Sequence, residues 1–179
     1  MNATPEFSRP VRVDTLAGTP REISIGADEA ERAALARRFD LVGIDRLSAE
    51  ASLIRAGDEV RASGTLSASV TQSCVATDVP VPAEVEEEFS VVFRPQPQIG
   101  GPEEEIELGA GELDVIFYDG ASVDVGELVA ETLSLSLDPY PRAPEAEAAL
   151  REAGVVSEEE VAPAGALAGL KDLLAGKKP

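Results

Sequence analysis

The stretch "RLSAEASLIRAGDEVRASGTLSASVTQS", residues 46–73, alternates apolar or small side chains with polar ones on both sides of a break at Ala56, Gly57 and Asp58. Side chains along a strand point to opposite faces in turn, so a period of two over this length commits the middle of the chain to a β-hairpin with one buried face. Leu47, Ala49, Ala51 and Leu53 belong to that face on the first strand, and Val60, Ala62, Gly64, Leu66, Ala68 and Val70 on the second. The next run, "AEVEEEFSVVFRP", keeps the period, with Val85, Phe89, Val91 and Phe93 inward and Glu84, Glu86 and Glu88 outward. Three consecutive antiparallel strands are expected, with carboxylates on the wet side.

Around this meander the periodicity changes. "RPVRVD" and "REISI" read as short strands, paired as an edge hairpin around "LAGTP". Asp28 and Glu31 have capping-box spacing, and "DEAERAALARRF" predicts a helix that turns Ala30, Ala33, Ala34 and Phe39 inward. "ELDVIFYDGASVD" predicts a strand at 113–118 and a turn at Asp119 and Gly120, before a second capping box at Asp124 and Glu127. The helix opened there ends near Pro139; its apolar stripe is Val125, Leu128, Val129 and Leu135, with Leu133 and Leu137 beside it, and Glu127, Glu131, Ser134 and Asp138 lie opposite. "QPQIGGPEEEIELGAGE" has no period and reads as a mobile acidic loop over about 95–112. Beyond Arg142 the chain turns to Ala, Glu and Pro, and ends in "PAGALAGLKDLLAGKKP", with Leu167, Leu170 and Leu174 at helical spacing and Leu173 adjacent. That leucine segment either docks on a partner or folds back on its own domain. The expected architecture is an α+β domain over residues 1–142 and an acidic tail over 143–179. The domain has an antiparallel, meander-like sheet, with partly barrel-like closure as an alternative, and two packed helices.

Composition removes most chemistry. Histidine is absent, which excludes Ser-His-Asp and Cys-His catalysis and imidazole metal ligands. Aromatic residues make up only 4% with no Trp, too few for base-stacking platforms. Of the net charge of −19, residues 1–72 contribute little, with nine basic and eleven acidic side chains; the rest carry six and 23. The second part would repel a phosphate backbone and suits a basic protein, so any RNA contact belongs to Arg32, Arg37 and Arg38, and no DNA binding is expected. The alternative is a solvated helix face paired with Asp28, Glu29 and Glu31. Asp114, Asp119 and Asp124 are the remote candidates for a carboxylate-dependent metal hydrolase, but a turn and an N-cap explain two of them better. No glycine-rich run has the Lys-Ser/Thr pair of a phosphate loop, and no serine has an activating neighbour. No apolar run approaches the roughly 18 residues of a membrane span, and a cytoplasmic, unexported protein is expected.

The single cysteine sits in "TQSCVATDVPVPAEV", where Thr77 occupies the place of the second sulfur of a Cys-x-x-Cys pair and Pro80 follows. One thiol makes neither an intrachain disulfide nor a thiolate metal site. Together with "DVGELVAETLSLSLDPYPRAP", this block resembles the YceD family over roughly residues 10–145. In that family a strand runs into Cys-x-x-Cys-x-x-Pro, then an acidic strand, a variable acidic loop and a helix that starts acidic and stops before prolines. Cys74 and Pro80 match; Thr77 departs, as in an alphaproteobacterial-type branch that the "LDPYPR" exit also resembles. The resemblance implies a turn kept for its shape, Cys74 as a small buried apolar group, and neither metal nor cofactor. Binding candidates are Cys74, Thr77 and Pro80 in the turn, and Glu127, Glu131, Asp138, Pro139, Tyr140, Pro141 and Arg142 along the helix and its exit. Tyr140 either packs on the sheet or is presented outward. The resemblance further implies a non-enzymatic factor that supports 23S rRNA accumulation and large-subunit biogenesis, with a basic ribosomal protein or an rRNA-processing factor as partner.

Overall fold

The alternating run folds as its period dictates. β1 (Pro10–Arg12), β2 (Arg21–Gly26), α1 (Glu29–Arg38), β3 (Gly43–Ala56), β4 (Glu59–Ser73), β5 (Pro80–Pro95), β6 (Val115–Tyr118), β7 (Ser122–Asp124), α2 (Val125–Ser136) and α3 (Ala146–Glu152) follow in order. This is a computed structural model, and it describes residues 5–96, 114–119 and 121–155. The acidic loop expected at 95–112 and the terminal leucine segment lie almost wholly outside those residues.

β3 and β4 are joined by a two-residue turn that opens on Gly57 at φ +67, a backbone region that favours glycine. Leu47, Ala49, Ala51 and Leu53 are buried on one strand and Val60, Ala62, Leu66, Ala68 and Val70 on the other. Gly64 stands in that row because a Cβ there would meet Glu50 O at 2.1 Å and the Phe89 ring at 2.8 Å. The sheet runs β2-β3-β4-β5-β6, antiparallel except for β5 and β6, which pair in parallel from Val92↔Val115 to Pro95↔Tyr118. It stays open: β2 and β6 are its two edges, and it does not close into a barrel.

The short N-terminal strands do not form the expected edge hairpin. β1 pairs antiparallel with β7, and β2 pairs with β3. A 3-10 turn at Val13–Thr15 and the buried Leu16 separate them, so each is free to meet a different neighbour.

Both longer helices cover the inner face; α1 departs from the expected stripe at its alanines, and α2 keeps the expected one except at Leu135. In α1, Leu35 and Ala36 are buried and Phe39 half-buried, while Ala30 and Ala33 are exposed and Ala34 is only half-buried. The helix meets the sheet through its last turns, where the largest apolar groups are, and the small alanines gain little by burial. In α2, Val125, Leu128, Val129, Ala130 and Leu133 are buried and Leu135 is 88% exposed. Leu135 is two positions beyond Leu133, which is about 200° around a helix of 3.6 residues per turn, so burying one turns the other outward. Asp28 and Glu31 complete the first capping box. The second does not form: Asp124 caps Gly126 and Glu127 N–H, but the Glu127 carboxylate pairs with Arg38.

Candidate functional site

The Cys74 turn and the exit from α2, far apart in sequence, meet at one end of the sheet. β4 ends at Ser73, and the chain reverses through Cys74–Val79 before Pro80 opens β5. Cys74 N–H donates to Val79 O at 2.9 Å, and Cys74 O accepts from Asp78 N–H at 2.9 Å. Asp78 takes φ 59, a left-handed conformation that aspartate tolerates better than most residues. Thr77 Oγ1 is buried inside the turn with no partner at hydrogen-bond geometry.

From the other side, Val75 N–H donates to Pro141 O at 2.9 Å and Ala143 N–H to Cys74 Sγ at 3.3 Å. Gln72, a buried side chain at the end of β4, donates to Asp138 O at 2.8 Å. Ala143 and Ala146 close over the sulfur, leaving Cys74 1% exposed. The thiol is a hydrogen-bond acceptor as well as a packed group. Its pKa is lowered to about 7, by the Thr77 hydroxyl first and the Ala143 N–H second, against the upward push of burial. Because the Thr77 hydroxyl forms no aligned bond, it acts on the sulfur as a nearby dipole.

A family model described as "Large ribosomal RNA subunit accumulation protein YceD" matches residues 62–174, a span that takes in both halves of this junction. The chain belongs to the YceD family. No curated protein and no solved structure matches it.

In this YceD chain the remaining candidates divide. Pro139 and Arg142 are exposed and Pro141 is buried at the junction. Tyr140 is not packed on the sheet but 71% exposed, with its N–H held by Asp138 Oδ1 at 2.8 Å. Glu127 and Glu131 sit elsewhere, on the outer side of α2. Glu127 is tied to Arg38 at 2.7 and 3.0 Å, and the Glu131 carboxyl is raised by desolvation and then by the Glu127 charge. Arg38 also reaches Glu6 at 3.1 Å, and Arg32 donates to Ala27 O at 2.7 Å. Of the three arginines, only Arg37 is exposed with no ion pair among the described residues.

The outward face of the sheet is polar. Its cross-strand rows read Ser48, Ser67 and Glu86; Glu50, Thr65 and Glu88; and Ser69 and Glu84. Hydroxyls and carboxylates therefore form a polar lattice, with strands about 4.8 Å apart and same-face residues about 6.7 Å apart along each strand. Arg46 pairs with Glu84 at 3.3 Å at one margin. Asp119, a turn residue, accepts from Ala121 N–H at 2.9 Å, and Asp124 serves as a cap, the two structural roles that their sequence context gave them. Among the described residues, no three His, Cys, Asp or Glu side chains come together as a metal site, and no helix is long and apolar enough to cross a membrane.

Sequence reasoning missed Gln72 and Ala143, which hold the junction, and Arg9. The Arg9 guanidinium forks onto Glu31 at 2.7 and 2.8 Å and also reaches Gly26 O. The one signal for that contact was an arginine close after Phe7, the only aromatic near the N-terminus.

Proposed function

We propose that this YceD-family chain is a non-enzymatic factor that supports 23S rRNA accumulation and large ribosomal subunit biogenesis by holding a basic protein on the outward face of its sheet. The family description supports the accumulation role. The lattice of Glu50, Glu84, Glu86 and Glu88 carries the partner class, because it offers carboxylates at the repeat of an extended chain beside neutral hydroxyls. Complementary charge of this kind speeds encounter and sets orientation more than it adds affinity. The partner is a basic ribosomal protein or an rRNA-processing factor.

Direct RNA binding through α1 is the weaker reading, since Arg38 and Arg32 are already engaged within the fold. Depleted cells supplied with wild type, with Glu84→Lys/Glu86→Lys/Glu88→Lys, or with Arg37→Glu separate the two. The ratio of large- to small-subunit rRNA should fall on depletion, return with wild type and Arg37→Glu, and stay low with the triple lysine variant. The opposite pattern of rescue moves the contact to α1 and RNA; an unchanged ratio on depletion sinks the role itself.

A further inference from the structure

The end of α1, the Cys74 turn and the last turn of α2 border a groove of about 520 Å3. Phe39, Leu41, Val75, Leu135 and Leu137 give it an apolar lining drawn from three separate parts of the chain. Leu135 and Val75 are exposed and the other three are half-buried, so the groove is a contiguous apolar patch and not a scatter of single surface residues. The same place is negative. Asp40 and Asp138 are the only charged residues in the lining, both are exposed, and neither pairs with a cation among the described residues. α2 ends here with no basic residue in its last turn, so the negative end of its dipole has no cation of its own.

This lining selects both the charge and the shape of what can cover it. Two unpaired carboxylates and a helix C-terminus beside an apolar patch repel an acidic occupant and favour a cationic one. A second copy of this chain is the poorer occupant, because it brings a charge of −19. No residue of the edge strands β2 or β6 lines the groove, so an extended segment finds no strand edge to pair with. A helix pairs its own peptide groups and needs only a stripe of apolar side chains at i, i+3 or i+4 and i+7 to fill such a groove.

We propose that the groove is a docking site for a basic amphipathic helix of a partner protein. The apolar stripe of that helix packs on Phe39, Val75, Leu135 and Leu137, and its flanking lysines or arginines meet Asp40, Asp138 and the carbonyl end of α2. The site is separate from the sheet face, since none of Glu50, Glu84, Glu86 and Glu88 lines it, and it stands whether or not that face holds a partner.

The probe is a labelled peptide of about 18 residues, with leucines at i, i+3, i+4 and i+7 and lysines elsewhere, titrated with the full chain by fluorescence anisotropy. Wild type should bind it about tenfold or more tightly than a peptide of the same residues shuffled to spread the leucines around the helix, and than the same pattern with glutamate for lysine. Leu135→Ser, which removes an exposed side chain, should weaken binding about tenfold. Asp40→Asn/Asp138→Asn should weaken it about threefold or more. Asparagine keeps the left-handed backbone of Asp40, at φ 55, and an acceptor for Tyr140 N–H, so that variant folds as wild type does. Equal binding of the shuffled peptide, no binding of any peptide, or an affinity unchanged by Leu135→Ser would each overturn the proposal. So would a dimer of the protein that Leu135→Ser dissociates, which gives the groove to a second copy. Loss of binding in Glu84→Gln/Glu86→Gln/Glu88→Gln, with both groove variants unaffected, would overturn it as well and move the cationic helix to the sheet face.

Discussion

At the N-terminal end of the described chain, one large side chain and a set of charges do the fastening; at the other end, backbone groups and small side chains do it. Phe7 is fully buried, Ser8 Oγ and Arg9 N–H donate to the Asp124 carboxylate at 2.5 and 2.7 Å, and Arg9 locks onto Glu31. Gly126 lets the chain pass so closely that a Cβ there would meet Phe7 O at 2.5 Å. By contrast, Ala143 packs on the Cys74 sulfur and donates its N–H to it, Val75 and Pro141 join through their peptide groups, and Gln72 is the one long side chain, bonded to Asp138 O. The first fastening concentrates its stability in a few replaceable side chains, whereas the second, Gln72 apart, spreads it over backbone contacts that single substitutions touch less.

The contrast is broken most strongly at Phe7. Phe7→Ala should cost about 3–5 kcal/mol in denaturant unfolding, from lost burial plus the cavity left behind. A cost below about 1 kcal/mol would mean that the N-terminal segment is not part of the core. Asp124→Ala removes the cap of α2 together with the anchors for Ser8 and Arg9, and a loss of about 2 kcal/mol is expected, with Asp124→Asn retaining part of it.

At the other junction Thr77→Val should change stability by less than about 1 kcal/mol, because the hydroxyl it removes is already unpartnered. It should instead lift the Cys74 pKa from about 7 toward the ordinary 9.0, read by ultraviolet absorbance of the thiolate. A thiol pKa depressed by folding stabilises the native state fully above 9.0, and that contribution is lost as pH falls to about 7. Wild type should therefore gain stability over Cys74→Ser as pH rises through this window; a constant difference would show that the thiol is not perturbed.

Legibility in the sequence followed the range of the interaction. The β3–β4 hairpin and the capping box of α1 were readable because their determinants lie within a few residues of one another or repeat with a fixed period. The meeting of the Cys74 turn with the "LDPYPR" exit was legible only as two blocks that share a family resemblance, with nothing local to say that Ala143 would reach the sulfur. The second capping box failed for a related reason. Its spacing was right, but Arg38 competes for Glu127 from another helix, and a bidentate arginine pair outweighs a single bond to a peptide N–H.

By itself, then, the sequence determined a half-buried antiparallel sheet, its inward and outward faces, the start of α1 and the exclusion of histidine and thiolate-cluster chemistry. Tertiary structure alone decided that β1 leaves β2 to pair with β7, that β6 joins β5 in parallel, and that Leu135 and Tyr140 face solvent. Periodicity states which side of an element avoids water, but which surface covers that side depends on long-range fit and charge. Those are properties of the assembled neighbours and not of any one segment.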